Sequence, residues 1–160
     1  MNKQDIYRLL AEKGVSHEIF EHEAVYTIEG MINLGLPGFE RVAKNLFLRD
    51  DKKNFYLLTV KEDRKINLKE VAAKIGSRRL SFASEAYLEQ ILQLISGAVT
   101  PLGVLNDSEK QVNVYFDSEY LHRQIGIHPL DNTATVFMET DDLVDIITPH
   151  CKKLEFVDFE

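Results

Sequence analysis

The alternation of apolar and polar positions divides this chain into short segments. Residues 5–13 set Ile6, Leu9 and Leu10 on one helical stripe, and Gly14 is a natural C-terminal stop. Residues 15–21 read as a short strand. Residues 27–33 read as a brief helix, which the loop Gly35-Leu36-Pro37-Gly38 breaks. Two apolar runs, residues 41–48 and 55–60, flank the polar turn Arg49-Asp50-Asp51-Lys52-Lys53-Asn54, the pattern of a hairpin with a longer loop. Asn67 is placed to cap a helix over residues 68–75, which Gly76 ends.

The second half repeats these signals. Leu80-Ser81-Phe82 reads as a short strand, and Ser84 caps an amphipathic helix with Leu88, Ile91, Leu92 and Ile95 inside. Residues 97–101 form a tight loop before residues 102–105. Val112, Val114 and Phe116 alternate with polar neighbours, a strand signal after the turn Asn106-Asp107-Ser108. Residues 124–128 and 133–138 make another strand pair, residues 141–147 a final helix and residues 154–159 a closing strand. The expected architecture is a single α+β domain over residues 1–160: a curled, mixed, mostly antiparallel sheet of about seven strands with flanking helices.

Composition narrows the class. At 160 residues, 44% hydrophobic and 28% charged, the chain is an ordinary globular domain rather than a disordered, collagenous or coiled-coil one. The single cysteine, Cys151, allows no intrachain disulfide and suits a reducing cytoplasm. Met1 leads into Asn2-Lys3-Gln4-Asp5 with no apolar stretch, so no secretory signal is expected. No apolar run approaches the roughly 20 residues of a spanning helix, so no membrane partner is expected either.

The net charge of −7 argues against a nucleic-acid partner only if it is evenly spread, and it is not. Residues 41–79 carry twelve of the nineteen basic side chains and five of the twenty-six acidic ones, so that window is +7 and the remainder −14. Such asymmetry points either to a polyanionic partner or to a solvated lysine-rich face.

The common catalytic templates are missing. There is no His-Glu-x-x-His or Cys-x-x-Cys for a metal, no glycine-rich phosphate or dinucleotide loop and no Gly-x-Ser-x-Gly elbow. His17, His22, His122, His128 and His150 are scattered. Neither a metal nor another cofactor is expected, and an enzyme of this kind would work by positioning and electrostatics without a covalent nucleophile.

Three segments stand out against that background. Lys44 and Asn45 are embedded in an apolar strand, where a buried ammonium needs an anion or a carbonyl; an outward-facing edge pair is the plainer alternative. Gly97-Ala98-Val99-Thr100-Pro101 combines small residues with a fixed proline, so that backbone N–H groups can converge on an oxyanion or a water, though most such loops are only turns. Gly126-Ile127-His128-Pro129 leads into Asn132-Thr133-Ala134-Thr135, which turn chemistry and strand packing also explain.

In this order and spacing, together with Lys61-Glu62-Asp63-Arg64-Lys65-Ile66-Asn67, these segments resemble the YbaK/EbsC-like aminoacyl-tRNA deacylases. Within them they resemble the freestanding prolyl-tRNA editing proteins that hydrolyse Ala-tRNA(Pro). The resemblance runs from about residue 6 to residue 159. It implies a catalytic group of Lys44, Gly97, Thr100 and His128. Lys44 would hold phosphate or sugar oxygens of the tRNA acceptor end, and the loop of Gly97, Ala98, Val99, Thr100 and Pro101 would hold the water and offer oxyanion donors. Asn45, His128 and Asn132 would position the aminoacyl ester, with the terminal ribose 2′-hydroxyl assisting proton transfer.

A size filter follows from double-sieve logic. A missing methylene discriminates by only about 1–3 kcal/mol, so a proline pocket admits alanine and a second, smaller site must remove it. Ile28, Ile32, the 28–36 segment and the apolar residues near Lys44, with Ala98 and Val99, are the candidates for that filter. A sister deacylase for Cys- or Ser-tRNA, or a non-catalytic tRNA-binding or regulatory module, remain the alternatives. Prolyl-tRNA synthetase or an elongation factor are the possible delivery partners, and a monomer is the default.

Overall fold

The first helix stops at Gly14 as the sequence suggests, and it begins two residues earlier than expected, on a cap not anticipated from the sequence. A computed structural model describes residues 1–160. Helix α1 (Lys3–Lys13) opens on Asn2, whose side chain accepts from the Asp5 N–H at 3.0 Å while the Asp5 carboxylate accepts from the Asn2 N–H at 2.8 Å. It stops at Gly14, φ 66°, with Ile6 and Leu10 wholly buried. Strand β1 (His17–Glu21) and the short helix α2 (Ile28–Asn33), capped by the Thr27 hydroxyl, follow.

The hairpin is the next unit. Strands β2 (Ala43–Arg49) and β3 (Phe55–Lys61) pair antiparallel, from Ala43 opposite Lys61 to Arg49 opposite Phe55. Asp50 ties their turn, accepting from the backbone N–H groups of Lys52 and Asn54, each at 2.9 Å. Helix α3 (Leu68–Ile75) runs from the Asn67 cap to Gly76. Strand β4 (Ser81–Phe82) then adds to β2 at Leu48 and Arg49 alone.

Helix α4 (Glu85–Tyr87) departs from the expected amphipathic helix. It is a single turn that widens into a π-helical turn, Leu88–Leu92, and ends at Gln93 in the left-handed region, φ 55°. That break re-aims the apolar stripe: Leu94 is buried against Gly103, and Ile95, expected inside, is 61% exposed. A 3-10 helix, Pro101–Asn106, leads to β5 (Val112–Asp117), β6 (Gln124–Ile127), β7 (Ala134–Glu139), α5 (Thr140–Ile147) and β8 (Lys153–Val157).

The mixed, mostly antiparallel α+β architecture is present, with eight strands in two sheets. One sheet runs β1-β7-β6, all antiparallel; the other runs β4-β2-β3-β5-β8, where β3-β5 and β5-β8 are parallel. The sheets meet at a bridge between Val42 and Gly126. A Cβ on Gly126 would lie 2.7 Å from the Phe137 ring and 3.0 Å from Val42, so glycine is what lets the sheets approach. One apolar cluster, including Ile6 and Leu10 of α1, Leu57, Phe116, Ile125, Val136 and Leu143, spans both sheets and the helices on them. No helix is long and apolar enough to cross a membrane.

Candidate active site

The junction of the two sheets leaves one stretch of β2 without a neighbour. β3 covers one side of β2 throughout, while on the other side β4 reaches only Leu48 and Arg49, and the bridge to Gly126 stops at Val42. The Phe47 carbonyl accepts from the Ala83 N–H at 3.0 Å on that second side. The two-residue period of a strand therefore turns the N–H and C=O of Asn45 to the same open side. A cavity of about 330 Å³ lies there. Its lining joins Lys44, Asn45 and Phe47 from β2, Ile28 and Met31 from α2, Phe82 from β4, Gly97 and Val99 from the following loop, and His128 beyond β6.

Lys44 is half-buried, and its ammonium donates to the backbone carbonyl of Arg64. Burial pulls its pKa below the ordinary lysine value, against the opposing pull of Glu62 and Asp63. The carbonyl it meets is itself anchored. The Arg64 guanidinium grips the wholly buried Asp117 with Nε at 2.7 Å and Nη2 at 3.2 Å, and Asp117 also accepts from the N–H groups of Lys61 at 3.1 Å and Glu119 at 3.0 Å. Burial pushes the Asp117 carboxyl up, but the hydrogen bonds from Arg64, Glu119 and Lys61 and the Arg64 charge leave it below its usual value.

Asn45 accepts at Oδ1 from the Thr59 hydroxyl at 2.7 Å. That bond fixes the amide and leaves its nitrogen free to donate. His128 holds the Ala134 carbonyl through Nδ1 at 2.8 Å, which requires the proton on Nδ1 and leaves Nε2 as an acceptor. Burial, with His22 nearby, lowers the His128 pKa, so the ring is neutral at pH 7. The rings of His22 and His128 lie edge to face at 6.3 Å. His22 is itself fixed by the Glu23 carbonyl at 2.8 Å and the Thr135 hydroxyl at 2.9 Å.

Gly97 adopts φ 93°, a conformation that favours glycine, and a Cβ there would lie 3.0 Å from Cδ1 of Tyr26. The Tyr26 ring thus rests on bare backbone at the edge of the cavity, 68% exposed.

Lys44, Asn45, Ile28, Gly97, Val99 and His128 therefore meet at one cavity, and five other expected residues do not line it. Thr100 is wholly buried, its hydroxyl accepting from the Leu102 N–H at 3.4 Å, so it starts the 3-10 helix instead of facing the cavity. Ala98 is buried in the core and Pro101 is the first residue of that helix, because the loop turns alternate residues inward. Ile32 sits on the solvent side of α2, 54% exposed. Asn132 is buried behind the site, where its Nδ2 donates to the Val25 carbonyl at 2.7 Å and its own carbonyl accepts from the Val25 N–H at 3.3 Å. It holds the segment that carries Tyr26.

Tyr26, Phe82 and Glu85 line the cavity without having been singled out by the sequence pattern, while Met31 falls in the 28–36 segment and Phe47 among the apolar residues near Lys44 expected to form the size filter. Phe82 and Tyr26 carry a signal only in three dimensions, as large aromatic rings left exposed. Cys151 is apart from the site; its thiol donates to the Ile147 carbonyl at 3.2 Å, and burial pushes it up to about 12. No group of three or more His, Cys, Asp or Glu side chains is placed to hold a metal ion.

Residues 22–146, which contain every lining residue of this cavity, match the aminoacyl-tRNA editing domain. The chain belongs to the aminoacyl-tRNA editing domain family. Its class of chemistry is accordingly that of an aminoacyl-tRNA hydrolase. Among relatives in this editing family, the chain is 44% identical over 147 residues to the prolyl-tRNA editing protein ProX of Acetoanaerobium sticklandii, covering 91% of this chain and 90% of that protein. It is 34% identical over 148 residues to the prolyl-tRNA synthetase associated domain-containing protein 1 of Bos taurus, covering 86% and 84%. A solved structure of a candidate trans-editing enzyme for prolyl tRNA synthetase superposes with a TM-score of 0.73 over 99% of this chain and 97% of that one. At 14% identity that likeness is one of fold alone.

Proposed function

We propose that this editing domain, over residues 1–160, removes alanine from mischarged Ala-tRNA(Pro) in the cytoplasm, acting in trans on tRNA brought by prolyl-tRNA synthetase or an elongation factor. One observation carries the reading: Lys44 and Asn45 of β2, Gly97 of a distant loop and His128 beyond β6 meet at one small cavity along an unpaired strand edge. Its volume of about 330 Å³ is at the low end of the roughly 300–1,000 Å³ of ligand pockets, enough for an aminoacyl ester and its sugar but not for a nucleic acid.

The chemistry needs no group from the protein that forms a covalent bond. Water adds to the ester carbonyl carbon, and the bond to the terminal ribose oxygen then breaks. The neighbouring ribose hydroxyl relays the water's proton to that leaving oxygen, giving free alanine and intact tRNA. The Asn45 N–H at the open edge and the Gly97 backbone face the developing oxyanion, where one well-placed donor is worth about 10²–10³ in rate. The Lys44 ammonium binds oxygens of the acceptor end. His128 Nε2 and the Asn45 amide hold the amino group and the ester in register. Met31, Ile28 and Val99 supply the apolar walls that admit a methyl group and exclude a pyrrolidine ring.

The test is a panel of aminoacyl-tRNAs incubated with purified protein. Ala-tRNA(Pro) is expected to be hydrolysed well above the buffer rate while Pro-tRNA(Pro) is spared, and Lys44→Ala is expected to abolish the difference. Preferential hydrolysis of Cys- or Ser-tRNA would overturn the alanine assignment. Tight binding with no change in ester half-life would overturn the enzyme.

A further inference from the structure

Beyond the rim at Phe82 lies a second concavity of about 480 Å³, whose lining includes Arg49, Arg79, Ser81, Ser84 and Tyr87. Phe82 is the one residue that lines both hollows. It stands on a two-residue edge strand, 62% exposed, where the core has no use for a phenyl ring. The arginines likewise lack an internal counter-ion. Neither Arg49 nor Arg79 has a carboxylate within ion-pair distance, whereas the two acids of the same hollow are already engaged. Asp50 accepts from the Lys52 and Asn54 N–H groups, the Asn54 amide and the Tyr56 hydroxyl, and Asp51 pairs with Arg78. Arg49 is also held in place, its guanidinium 5.6 Å over the Tyr87 ring and its Nε donating to the Asp50 carbonyl at 3.1 Å. By contrast Glu85, a carboxylate in the main cavity's lining, has no cationic partner.

A planar ring beside two unpaired, partly oriented cations matches the alternation of base and phosphate in a single-stranded polynucleotide. We infer that the single-stranded 3′ end of an RNA leaves the main cavity over Phe82 and lies in the second concavity, with one base stacked on Phe82 and phosphates on Arg49 and Arg79. This rests on the aminoacyl-tRNA reading of the main cavity, because the ester fixes one end of the strand there and the cavity is too small for the next nucleotides. The groove makes the choice of substrate depend on a polynucleotide, and not only on an aminoacyl ester.

The experiment compares kcat/KM on Ala-tRNA(Pro) with that on 2′(3′)-O-alanyl-adenosine, which has no strand to place in the groove. Phe82→Leu is expected to lower the ratio of the two about tenfold, and Phe82→Trp to restore it, as base stacking predicts. Arg49→Gln with Arg79→Gln is expected to lower the same ratio and to flatten the log–log salt dependence of tRNA binding by about 0.7 per lost phosphate contact. Equal losses on both substrates would overturn the inference, reducing Phe82 to a cavity wall. So would an unchanged ratio with an unchanged salt slope, which would leave the exposed ring to a protein partner. If the wild type hydrolyses neither ester, the deacylase reading fails by itself. Anisotropy of labelled uncharged tRNA on the same variants then still decides the groove, with no difference among them as the refuting result.

Discussion

Replacing Asp117 by asparagine perturbs the support beneath Lys44 without touching the cavity. Asp117 is wholly buried and receives four hydrogen bonds, two from the Arg64 guanidinium and two from backbone N–H groups. Arg64 is mostly buried as well, with 16% of its side chain exposed. Asparagine keeps the shape but turns an N–H donor toward one of the groups that now donate, and leaves the guanidinium only the longer, more exposed pairs with Glu119 at 3.8 Å and Glu160 at 3.7 Å. Breaking such a pair costs about 3–5 kcal/mol. For a chain of this size each kcal/mol moves the melting midpoint by about 2–4 °C, so a fall of roughly 6–20 °C is expected by calorimetry. The carbonyl that receives the Lys44 ammonium belongs to Arg64, so loosening this turn releases Lys44 too. The kinetic signature is a raised KM for Ala-tRNA(Pro) in the folded variant at 25 °C. The pair should also be coupled: Asp117→Asn with Arg64→Gln should cost clearly less than the sum of the single variants. Additive losses, each below about 1 kcal/mol, would refute this account. The stability from Asp117 has a pH window with a definite sign. Its carboxyl is held below 3.8, so the contribution is complete above that value and disappears as pH falls through the lowered pKa.

Three other perturbations are as direct. Gly97→Ala forces a side chain into φ 93° and against Tyr26; about 1–3 kcal/mol of strain and a lowered kcat are expected, measured by thermal melt and single-turnover hydrolysis, and an unaltered melt would contradict the geometry. His128 must be neutral for Nε2 to accept, and its pKa is held below 6.5, so kcat/KM should stay level from pH 8 down past 6.5 and fall only in more acid buffer. His128→Gln should remove that acid limb, and a limb centred above 6.5 would contradict the assignment. Met31→Ala widens the apolar wall, so hydrolysis of Pro-tRNA(Pro) should rise relative to Ala-tRNA(Pro); an unchanged ratio on the tRNA panel would place the size filter elsewhere.

Local signals were legible because they depend on neighbouring residues only. Asn67 and Ser84 cap where their side chains can reach an N–H two or three residues on, and Gly14 and Gly76 stop helices by entering the left-handed region. The hairpin of β2 and β3 follows from two apolar runs and a polar turn, and the motif order singled out Lys44, Asn45, Gly97 and His128, which the fold brings to one cavity. Thr100, Ala98, Pro101, Ile32 and Asn132 do not line the cavity, because the sequence does not tell which positions of a loop or of a one-and-a-half-turn helix face the core, the solvent or the site. The same ignorance of direction left Ile95 inside a helix that Gln93 ends.

What this sequence determined by itself was the set of local elements and the α+β class, since periodicity, caps and turn chemistry act within a few residues. Tertiary structure alone decided the rest. The parallel pairing of β3, β5 and β8, the meeting of the sheets at Gly126 and the bare edge of β2 all come from contacts between segments far apart in the chain. It also decided what the uneven charge means at the site. Asp50, Asp51 and Asp117 are engaged by near and distant partners, while Arg49 and Arg79 are left without a carboxylate partner beside the cavity. Charge along a chain adds up without regard to geometry, and a partner is recognised by the cations that folding leaves unpaired.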